Sequence, residues 1–499
     1  MEQIFKIAEN YFDYMARNYP VMCASDEFYC LPCIEKTVEF PDSLDSFDKN
    51  RIKQHISHVK SLKDSLEKTA SGINNLEDEI DTVLLKESMV SFLREFEETK
   101  IWEIDPTLYL RIVLLGASNG SPGRINKIPQ LLNEAKSNLK GVRPGHMEAS
   151  KEMIGASIDY FKTISVKAAE AIEDFGKFLN SVNIRRHLIK DRVTLENILN
   201  GSFSYSLGLD EIFDIATEEY RITLIALKKL AKTIDPRKTW QKILSKYKIE
   251  SDKEDNVLAL YESEIGKLKN FFKEKDIISI SRMQNILVEP TPLFMKPVRA
   301  SASYSAPVTN KLSESARFYV TVDFGKMEIH NEYKFVTAHE TYPGHHLLDS
   351  VRRSLKNPIR RQIESPLFYE GWASYAEKLI DELGYVKSPV HKLPGLRRQA
   401  WRAVRAMLDV GLRIGRLDLE DASKMLRDLG YAAGTVKLML RHYALTPGYQ
   451  LCYTMGKFEI ENLRKKFAVK MGLKKFHDTL IEAGEIPFYL IEKRMEGKV

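Results

Sequence analysis

Three of the chain's 11 histidines lie within the eight-residue segment His339-Glu340-Thr341-Tyr342-Pro343-Gly344-His345-His346. Imidazole nitrogens are common zinc ligands. In the pattern His-Glu-x-x-His, two histidines at i and i+4 of one helix bind a single ion, and the glutamate accepts a proton from the activated water. Here Pro343 occupies the fourth position after His339 and cannot bind a metal. The segment therefore has the residue types of a hydrolytic metal site at an unusual spacing.

The second histidine ligand has to be His345 or His346. On a straight helix these residues lie about 9 Å and about 10.5 Å along the axis from His339, too far to share a zinc ion with ligands at about 2.1 Å. Pro343 and Gly344 allow the helix to bulge or break. We therefore expect a break that brings one of the two histidines back toward His339, with His345 slightly preferred.

A second segment, Phe368-Tyr369-Glu370-Gly371-Trp372-Ala373-Ser374-Tyr375-Ala376-Glu377, follows downstream. Glu370, Ser374 and Glu377 fall on one helical face. Glu370 is the expected third metal ligand. Glu377 is expected to orient a ligand histidine through its second ring nitrogen, as carboxylates behind metal sites do.

The two motifs together resemble the domain-of-unknown-function family that is assigned to the zincin metallopeptidase clan. The similarity covers most of the chain and includes Trp102-x-x-Asp105-Pro106, Arg124-x-x-x-Ile128-Pro129, Phe476-His477-Asp478-x-Leu480 and Gly484-x-Ile486-Pro487. The segment around Glu370 also resembles the zinc-binding Asn-Glu-Gly-Phe-Ala segment of aminopeptidase N-like enzymes. The lengthened first motif is similar to that of dipeptidyl peptidase III. These resemblances imply zinc and peptide hydrolysis.

One departure from the family lies at Arg413. Family members often carry histidine in an Asp-x-Gly-Leu-His segment, whereas this chain has Asp409-Val410-Gly411-Leu412-Arg413. If that histidine has a role, arginine does not fill it in the same way.

The implied reaction is direct attack by water on a peptide bond, with Glu340 as the general base. Tyr443 and Tyr453, in another segment that resembles the family, are the expected donors to the oxyanion, although both also suit buried packing positions. Arg441 is a candidate for binding a substrate carboxylate, with a structural ion pair as the favoured alternative role.

The predicted function is a zinc-dependent peptidase that hydrolyses short or unfolded peptides, with carboxypeptidase activity as one form. Two alternatives stay open. One is a zinc-dependent hydrolase of non-peptide amides or esters, and the other is a non-catalytic helical binding protein that retains a degenerate site.

The predicted fold is mainly α, a large helical body with a small β-sheet beside the active-site helix. Apolar residues at helical spacing predict helices over 46–70, 74–100, 125–140, 148–181, 209–232 and 253–273. The run 316–324 is rich in aromatic and β-branched residues and predicts a strand. This strand presents an unpaired edge to a peptide or is fully paired. We expect one domain over 1–499, with lobes 1–286 and 287–499 as an alternative.

Composition and charge narrow the classes of partner and location that remain. The 499 residues are 43% hydrophobic and 29% charged, and the net charge of 75 − 69 = +6 is spread along the chain. Its short basic clusters favour solvated helix faces over a nucleic-acid partner. Because the N-terminal residues lack the pattern of a signal peptide and no apolar run reaches about 20 residues, we expect a cytoplasmic protein without a membrane partner. Cys23, Cys30 and Cys33 suit buried thiols or a local disulfide better than a redox or metal site.

Overall fold

The chain is mainly helical, as the sequence predicts. The computed structural model describes residues 2–118, 121–184, 191–247, 249–250, 254–280, 285–309, 311, 314–321, 328–329 and 331–497. About 71% of the protein is helix, with a small sheet, which confirms the mainly α class.

Twelve described helices precede the sheet. They are α1 (Glu2–Asn18), α2 (Lys49–Ala70), α3 (Leu76–Leu93), α4 (Ile101–Ile104), α5 (Pro106–Ser118), α6 (Pro122–Asn138), α7 (Pro144–Ile164), α8 (Val166–Leu179), α9 (Arg192–Ser202), α10 (Leu209–Ile234), α11 (Trp240–Leu244) and α12 (Glu254–Lys275). Shorter turns of 3₁₀ or π geometry lie at Met22–Ala24, Glu35–Glu39, Arg94–Thr99 and Leu293–Met295.

Side-chain caps set several of these helix boundaries. The Asp48 carboxylate accepts the backbone N–H groups of Asn50 and Arg51 at the start of α2. The predicted helix 148–181 is wrong as a single element, because the Ser165 side chain accepts the Ala168 N–H and begins α8 there. Short polar residues at such caps explain why hydrophobic periodicity alone overestimates helix length.

The sheet lies between α12 and the helices that follow. Its strands are β2 (Ile286–Pro290), β3 (Ala302–Ser305) and β4 (Ala316–Val320), in the order β2-β4-β3. β4 is parallel to β2 and antiparallel to β3. A separate antiparallel pair joins β1 (Ile249–Glu250) to β5 (Glu328–Ile329).

The predicted strand 316–324 is confirmed over Ala316–Val320, and positions 322–324 lie outside the described residues. Its alternate side chains, Ala316, Phe318 and Val320, are buried. Since β4 is central, the proposed unpaired edge on this strand is wrong. The outer edges of this three-stranded sheet belong to β2 and β3.

Ten helices follow the sheet, and they carry both sequence motifs. They are α13 (Tyr333–Glu340), α14 (His345–Arg353), α15 (Pro358–Gln362), α16 (Pro366–Glu382), α17 (Pro389–Ile414), α18 (Leu419–Asp428), α19 (Ala433–Leu445), α20 (Cys452–Met471), α21 (Leu473–Ile481) and α22 (Phe488–Glu496).

The main apolar core draws residues from both predicted lobes, from Ile4 in α1 to Met495 in α22. A smaller cluster joins α10 and α11 to α17, α18 and α19. The division into domains stays a prediction. Cys23, Cys30, Cys33 and Cys452 are all free thiols. Within the described part of the chain, none of the helices combines the length and apolar character needed to cross a bilayer.

Helices α16 and α20 approach each other at a pair of glycines. A Cβ added at Gly371 would lie 2.5 Å from the Gly456 backbone, and a Cβ at Gly456 would lie 1.9 Å from the Leu367 carbonyl oxygen. Both neighbours are backbone atoms, so a small side-chain movement cannot relieve the overlap. This glycine contact brings the α16 backbone, with Glu370 beside Gly371, against α20.

We predict that Gly456→Ala forces α16 and α20 apart. Overpacking of this kind costs about 1–3 kcal/mol, measured as a lower free energy of unfolding in urea. Gly155→Ala in α7 is the matched control, because its added Cβ meets nothing within 4 Å. The control should be neutral or stabilising by up to about 1 kcal/mol. Equal stability of the two variants would contradict the tight contact.

Candidate metal centre

The helix that begins at Tyr333 ends at Glu340, and a new helix begins at His345. Between them the chain turns sharply: the Gly344 N–H donates to the Ala338 carbonyl at 3.0 Å. A Cβ at Gly344 would lie 1.9 Å from the His339 carbonyl oxygen. Only glycine therefore fits this turn. The break predicted at Pro-Gly is present in the described chain.

The break brings His345 beside His339. Their ring centroids are 4.6 Å apart, with planes at 80°. Glu370, one turn into α16, supplies a carboxylate oxygen, Oε2, that is 3.3 Å from His339 Nε2 and 3.6 Å from His345 Nε2. The three ligand atoms lie within 4.8 Å of one another, and all three residues are buried. Two imidazoles and one carboxylate thus converge on a common point that can hold a metal ion.

The hydrogen bonds around this cluster do not use the Glu370 oxygen that faces the two imidazoles. Glu370 Oε2 is buried and accepts no hydrogen bond within the described structure. Glu370 Oε1, in contrast, accepts a short hydrogen bond from the Tyr449 hydroxyl. Burial acts to raise the pKa of Glu370, but His339 and His345 outweigh burial and hold that pKa well below its usual range. The carboxylate of Glu370 is therefore held in its ionised form, as a metal ligand must be.

His346, the alternative second ligand, points elsewhere. It is fully buried, and its Nδ1 is 3.5 Å from the Tyr304 hydroxyl. Its ring packs edge-on against Tyr342. His346 is not part of the three-residue cluster, because one step along α14 turns a side chain by about 100°. The structure thus brings together His345, and not His346, with His339 and Glu370.

The ring of His345 is fixed by stacking on Tyr369, with centroids 3.8 Å apart and planes at 15°. The ring of His339 is fixed by charge. Its Nδ1 is 3.3 Å from Glu377 Oε1, the position that the sequence predicts for a ring-orienting carboxylate. In the tautomer that carries its proton on Nδ1, facing Glu377, the Nε2 lone pair of His339 faces Glu370 and is available to a metal ion.

Glu377 is itself held by two arginines of α17. Arg398 and Arg402 donate to both of its oxygens, with Arg402 bonds of 2.7 Å. Burial acts to raise the pKa of Glu377, and the two guanidinium groups hold it well below its usual range. Arg402 Nη2 also lies 3.1 Å from His339 Nδ1. A carboxylate kept ionised in this way is a strong acceptor for the imidazole N–H.

Glu340 lies at the end of α13, beside the cluster. Its Oε2 accepts the Tyr304 backbone N–H at 2.9 Å, and Tyr304 lies on the outer strand β3. Burial raises the pKa of Glu340 to about 7. Its second oxygen, Oε1, is not used by the Tyr304 bond. The carboxylate is therefore oriented by one oxygen and can exchange a proton through the other.

The two tyrosines predicted as oxyanion donors occupy different environments. Tyr453 lies beside the cluster, with its ring parallel to that of His339 at 6.3 Å and with the Arg405 guanidinium 3.9 Å from its centroid. Tyr443 accepts a hydrogen bond from Trp401 Nε1 at 2.9 Å and packs in the second apolar cluster. Among the described contacts Tyr443 does not touch the metal ligands, so the structure does not support it as a catalytic group.

Arg441 also lies away from the cluster. It donates to Glu152 at 3.0 and 2.9 Å and to Glu148 at 3.2 Å, both on α7. These ion pairs occupy the guanidinium that the sequence assigns to a substrate carboxylate. The alternative structural role of Arg441 is the one observed.

Tyr449 is a site residue that the sequence analysis missed. It lies in the same segment as the two predicted tyrosines, immediately after Pro447-Gly448. Asp409 positions this turn by accepting the N–H groups of Gly448, Gln450 and Leu451 at 3.0–3.3 Å. Arg413, the departure from the family pattern, donates to Asp409 at 2.7 Å. The turn signal of Pro447-Gly448 is the feature that could have indicated Tyr449.

The buried arginines of α17 were also missed. Arg398, Arg402 and Arg405 recur at spacings of four and three residues, which places them on one helical face. All three are almost fully buried. Because long cationic side chains are rarely buried without partners, a stripe of arginines in an otherwise apolar helix is a recognisable sign of buried carboxylates nearby.

The family model described as "Bacterial protein of unknown function (DUF885)" matches residues 157–495. This is more than half of the chain, and the chain belongs to that family. The match includes all three residues of the metal cluster.

Two solved structures share the fold over 99% of both chains. One, provisionally named a lipoprotein of Colwellia psychrerythraea, has a TM-score of 0.77 at 15% identity. The other, provisionally named a lipoprotein of unknown function from Shewanella oneidensis, has a TM-score of 0.76 at 17% identity. None of the curated proteins matches the chain. The predicted cytoplasmic location stays a prediction.

We predict that the three clustered residues, and not His346, determine metal content. His339→Ala and His345→Ala each remove a ligand and should reduce bound metal from about one ion per chain to near zero, measured by elemental analysis of purified protein. His346→Asn is the matched control, because it changes the neighbouring imidazole and should retain the metal. Loss of metal in His346→Asn with retention in His345→Ala would reverse the assignment.

Proposed function

We propose that this protein is a zinc-dependent peptidase of the zincin type. The observation that carries the proposal is the convergence of His339 Nε2, His345 Nε2 and Glu370 Oε2, an oxygen that accepts no hydrogen bond, on one point, with the carboxylate of Glu340 alongside. Two histidines and a glutamate are the ligand set of many catalytic zinc sites, which leave a fourth position for water or substrate.

The spacing of the ligand atoms fits zinc. Tetrahedral ligands at about 2.0–2.1 Å from the ion are about 3.3–3.4 Å apart. The two distances from Glu370 Oε2 to the imidazole nitrogens are 3.3 and 3.6 Å. Nitrogen and carboxylate donors suit zinc better than calcium or magnesium, which prefer all-oxygen sites. Zinc bound here would polarise a carbonyl oxygen and lower the pKa of a water molecule to about 7.

Glu340 supplies the proton transfer in this proposal. Its Oε2 is held by the Tyr304 N–H, so Oε1 faces the reacting water, takes its proton and later delivers that proton to the leaving amine. Tyr453 donates a hydrogen bond to the oxygen that becomes negative as water attacks the carbonyl. Its hydroxyl stays protonated, because burial raises the pKa of Tyr453 far above neutral pH.

The outer edge of β3 supports a peptide substrate. The Ser301 carbonyl accepts the Thr321 N–H. Because hydrogen-bonded pairs alternate along antiparallel strands, the backbone groups of Ser303 and Ser305 also face β4. Ala302 and Tyr304 consequently present their backbone groups outward, on the side of Glu340. The Tyr304 N–H is bonded to Glu340, so a peptide would pair with the Ala302 N–H and with the carbonyl groups of Ala302 and Tyr304. An extended peptide can pair with this edge through main-chain hydrogen bonds that do not depend on its sequence. Such pairing favours short or unfolded peptides.

The two other functions predict different behaviour. A hydrolase of non-peptide amides or esters would not need the β3 edge and would favour small substrates over dipeptides to decapeptides. A non-catalytic binding protein would not need Glu340 beside its metal ligands. A panel of peptides and small amides or esters, assayed with zinc-loaded protein, separates these alternatives from a peptidase.

The decisive variant is Glu340→Gln. It keeps the metal ligands but removes the base, so we expect about one zinc per chain and a loss of peptide hydrolysis of about 10²–10⁴-fold. Glu377→Gln is the comparison, since loss of the carboxylate behind His339 should instead weaken zinc affinity about 10–100-fold. Unchanged hydrolysis by Glu340→Gln would remove Glu340 from its proposed role.

A further inference from the structure

A cavity of about 480 Å³ adjoins the metal centre, a volume within the range of small-ligand sites. Two of its lining residues connect it to Glu370. Tyr449 lines the cavity and donates its hydroxyl to Glu370. Pro366 lines it from the first turn of α16, four residues or about 6 Å along the helix axis from Glu370. Tyr449 and Pro366 therefore form a wall that the cavity shares with the candidate metal centre.

Four arginines line the cavity, and three of them are engaged by protein groups. Arg94 bonds to Glu95 at 3.1 Å and to Ser202. Arg111 donates to the Glu27 carbonyl at 3.0 Å. Arg413 donates to Asp409. Because these three guanidinium groups bind other groups of the protein, few of their N–H donors are left for a ligand.

Arg143 is the exception. It is half-buried at the start of α7 and lines the cavity, yet within the described residues its guanidinium forms no hydrogen bond and no ion pair. The carboxylates that act on it through space are those of Asp105, Glu95 and Asp191, while Arg413 repels it. Burial lowers the pKa of Arg143 from its usual value, but an arginine so shifted is still charged at neutral pH.

The neighbouring carboxylates have partners of their own. Asp105 accepts the Thr107 N–H and hydroxyl at 2.8 and 2.6 Å. Asp191 caps α9 by accepting the Thr194 N–H at 3.0 Å, and Glu95 pairs with Arg94. A half-buried cation without a direct anionic partner loses part of its hydration with no contact to compensate for it. The arrangement is the one expected when the partner arrives with a ligand.

We propose that Arg143 binds a carboxylate of the peptide substrate within this cavity. Arginine presents two parallel N–H groups that match the two oxygens of a carboxylate. Apolar side chains such as Phe28, Ile198 and Leu445 also line the cavity and suit the rest of the bound residues. The inference rests on the proposed peptidase and narrows its substrates to peptides with a carboxylate a few residues beyond the scissile bond.

That carboxylate has two sources. It is the C-terminus of a short peptide, in which case the protein removes one or a few residues from the C-terminal end, or it is an acidic side chain of a longer peptide. The geometry of the cavity serves both, because Arg143 recognises the same group in each. Peptides that differ only at this group distinguish the two sources.

The kinetic test uses three peptides of one uncharged sequence: the free acid, the C-terminal amide, and the amide with a terminal glutamate. We expect the wild-type protein to prefer the free acid over the plain amide at least 10-fold in kcat/KM. Arg143→Ala should raise KM for the free acid about 10- to 100-fold and abolish the preference, and Arg143→Lys should retain part of it. Recovery of activity on the glutamate amide identifies side-chain recognition.

Arg441→Ala is the matched control, because that guanidinium also contacts α7 but is occupied by Glu148 and Glu152. It should keep the full preference for the free acid. Circular dichroism and thermal unfolding of each variant separate loss of recognition from loss of fold. A wild-type protein that treats the acid and both amides alike would overturn the proposal.

A binding measurement separates failure of this inference from failure of the proposed function. Titration of the free acid and the plain amide into Glu340→Gln, with zinc present, requires no hydrolysis. Tighter binding of the acid, lost in the Glu340→Gln/Arg143→Ala double variant, supports the carboxylate site even if no peptide is cleaved by the wild type. Equal binding of acid and amide overturns it even if peptides are cleaved.

Discussion

The cluster of His339, His345 and Glu370, the candidate metal centre, depends on a backbone contact that tolerates no side chain. At the end of α13 the chain folds so tightly that residue 344 passes against the carbonyl oxygens of Ala338 and His339. A straight helix would carry His345 about 9 Å along the axis, whereas here its ring lies beside that of His339. The Trp372 indole N–H donates to the Pro343 carbonyl at 2.8 Å, so α16 stabilises the same turn that its Glu370 faces. The helix break and the third ligand are thus parts of one packing arrangement.

Burial of this much charge needs compensation on every side. Glu370 and Glu377 lie on the same face of α16, two turns apart, and both are buried. Glu370 is balanced by two imidazoles and Tyr449, and Glu377 by Arg398 and Arg402. Removing one member of such a network leaves an uncompensated buried charge, which costs more than a surface ion pair would contribute. The same network fixes the ring of His339, so the groups that stabilise the fold also set the geometry of the ligand.

Local sequence signals predicted much of this arrangement. The mainly α class, the strand at Ala316–Val320, the helix break at Pro343-Gly344 and the helical face shared by Glu370 and Glu377 all follow from periodicity and from the backbone chemistry of proline and glycine. The choice between His345 and His346 did not follow from such signals, because it depends on the backbone dihedral angles of the four residues between Glu340 and His345. The roles of Arg143 and Tyr449 could not be predicted in this way either, because their positions depend on which distant segments of the chain meet. The prediction of an unpaired edge on β4 was wrong because β2 and β3, the two strands of the sheet that precede it in the chain, pair with both of its sides.

Helix α17 connects the parts that local signals could not connect. Its arginines reach α16 through Glu377 and α20 through the stacking of Arg405 on Tyr453. One turn further on, Asp409 holds the Gly448–Leu451 turn, and Tyr449 in that turn contacts both Glu370 and the cavity. Arg413 therefore acts on the site indirectly, by neutralising the carboxylate that shapes the turn. A histidine here would reach Asp409 with a shorter side chain and a charge that depends on pH. The arginine of this chain keeps a positive charge against Asp409 throughout the neutral range.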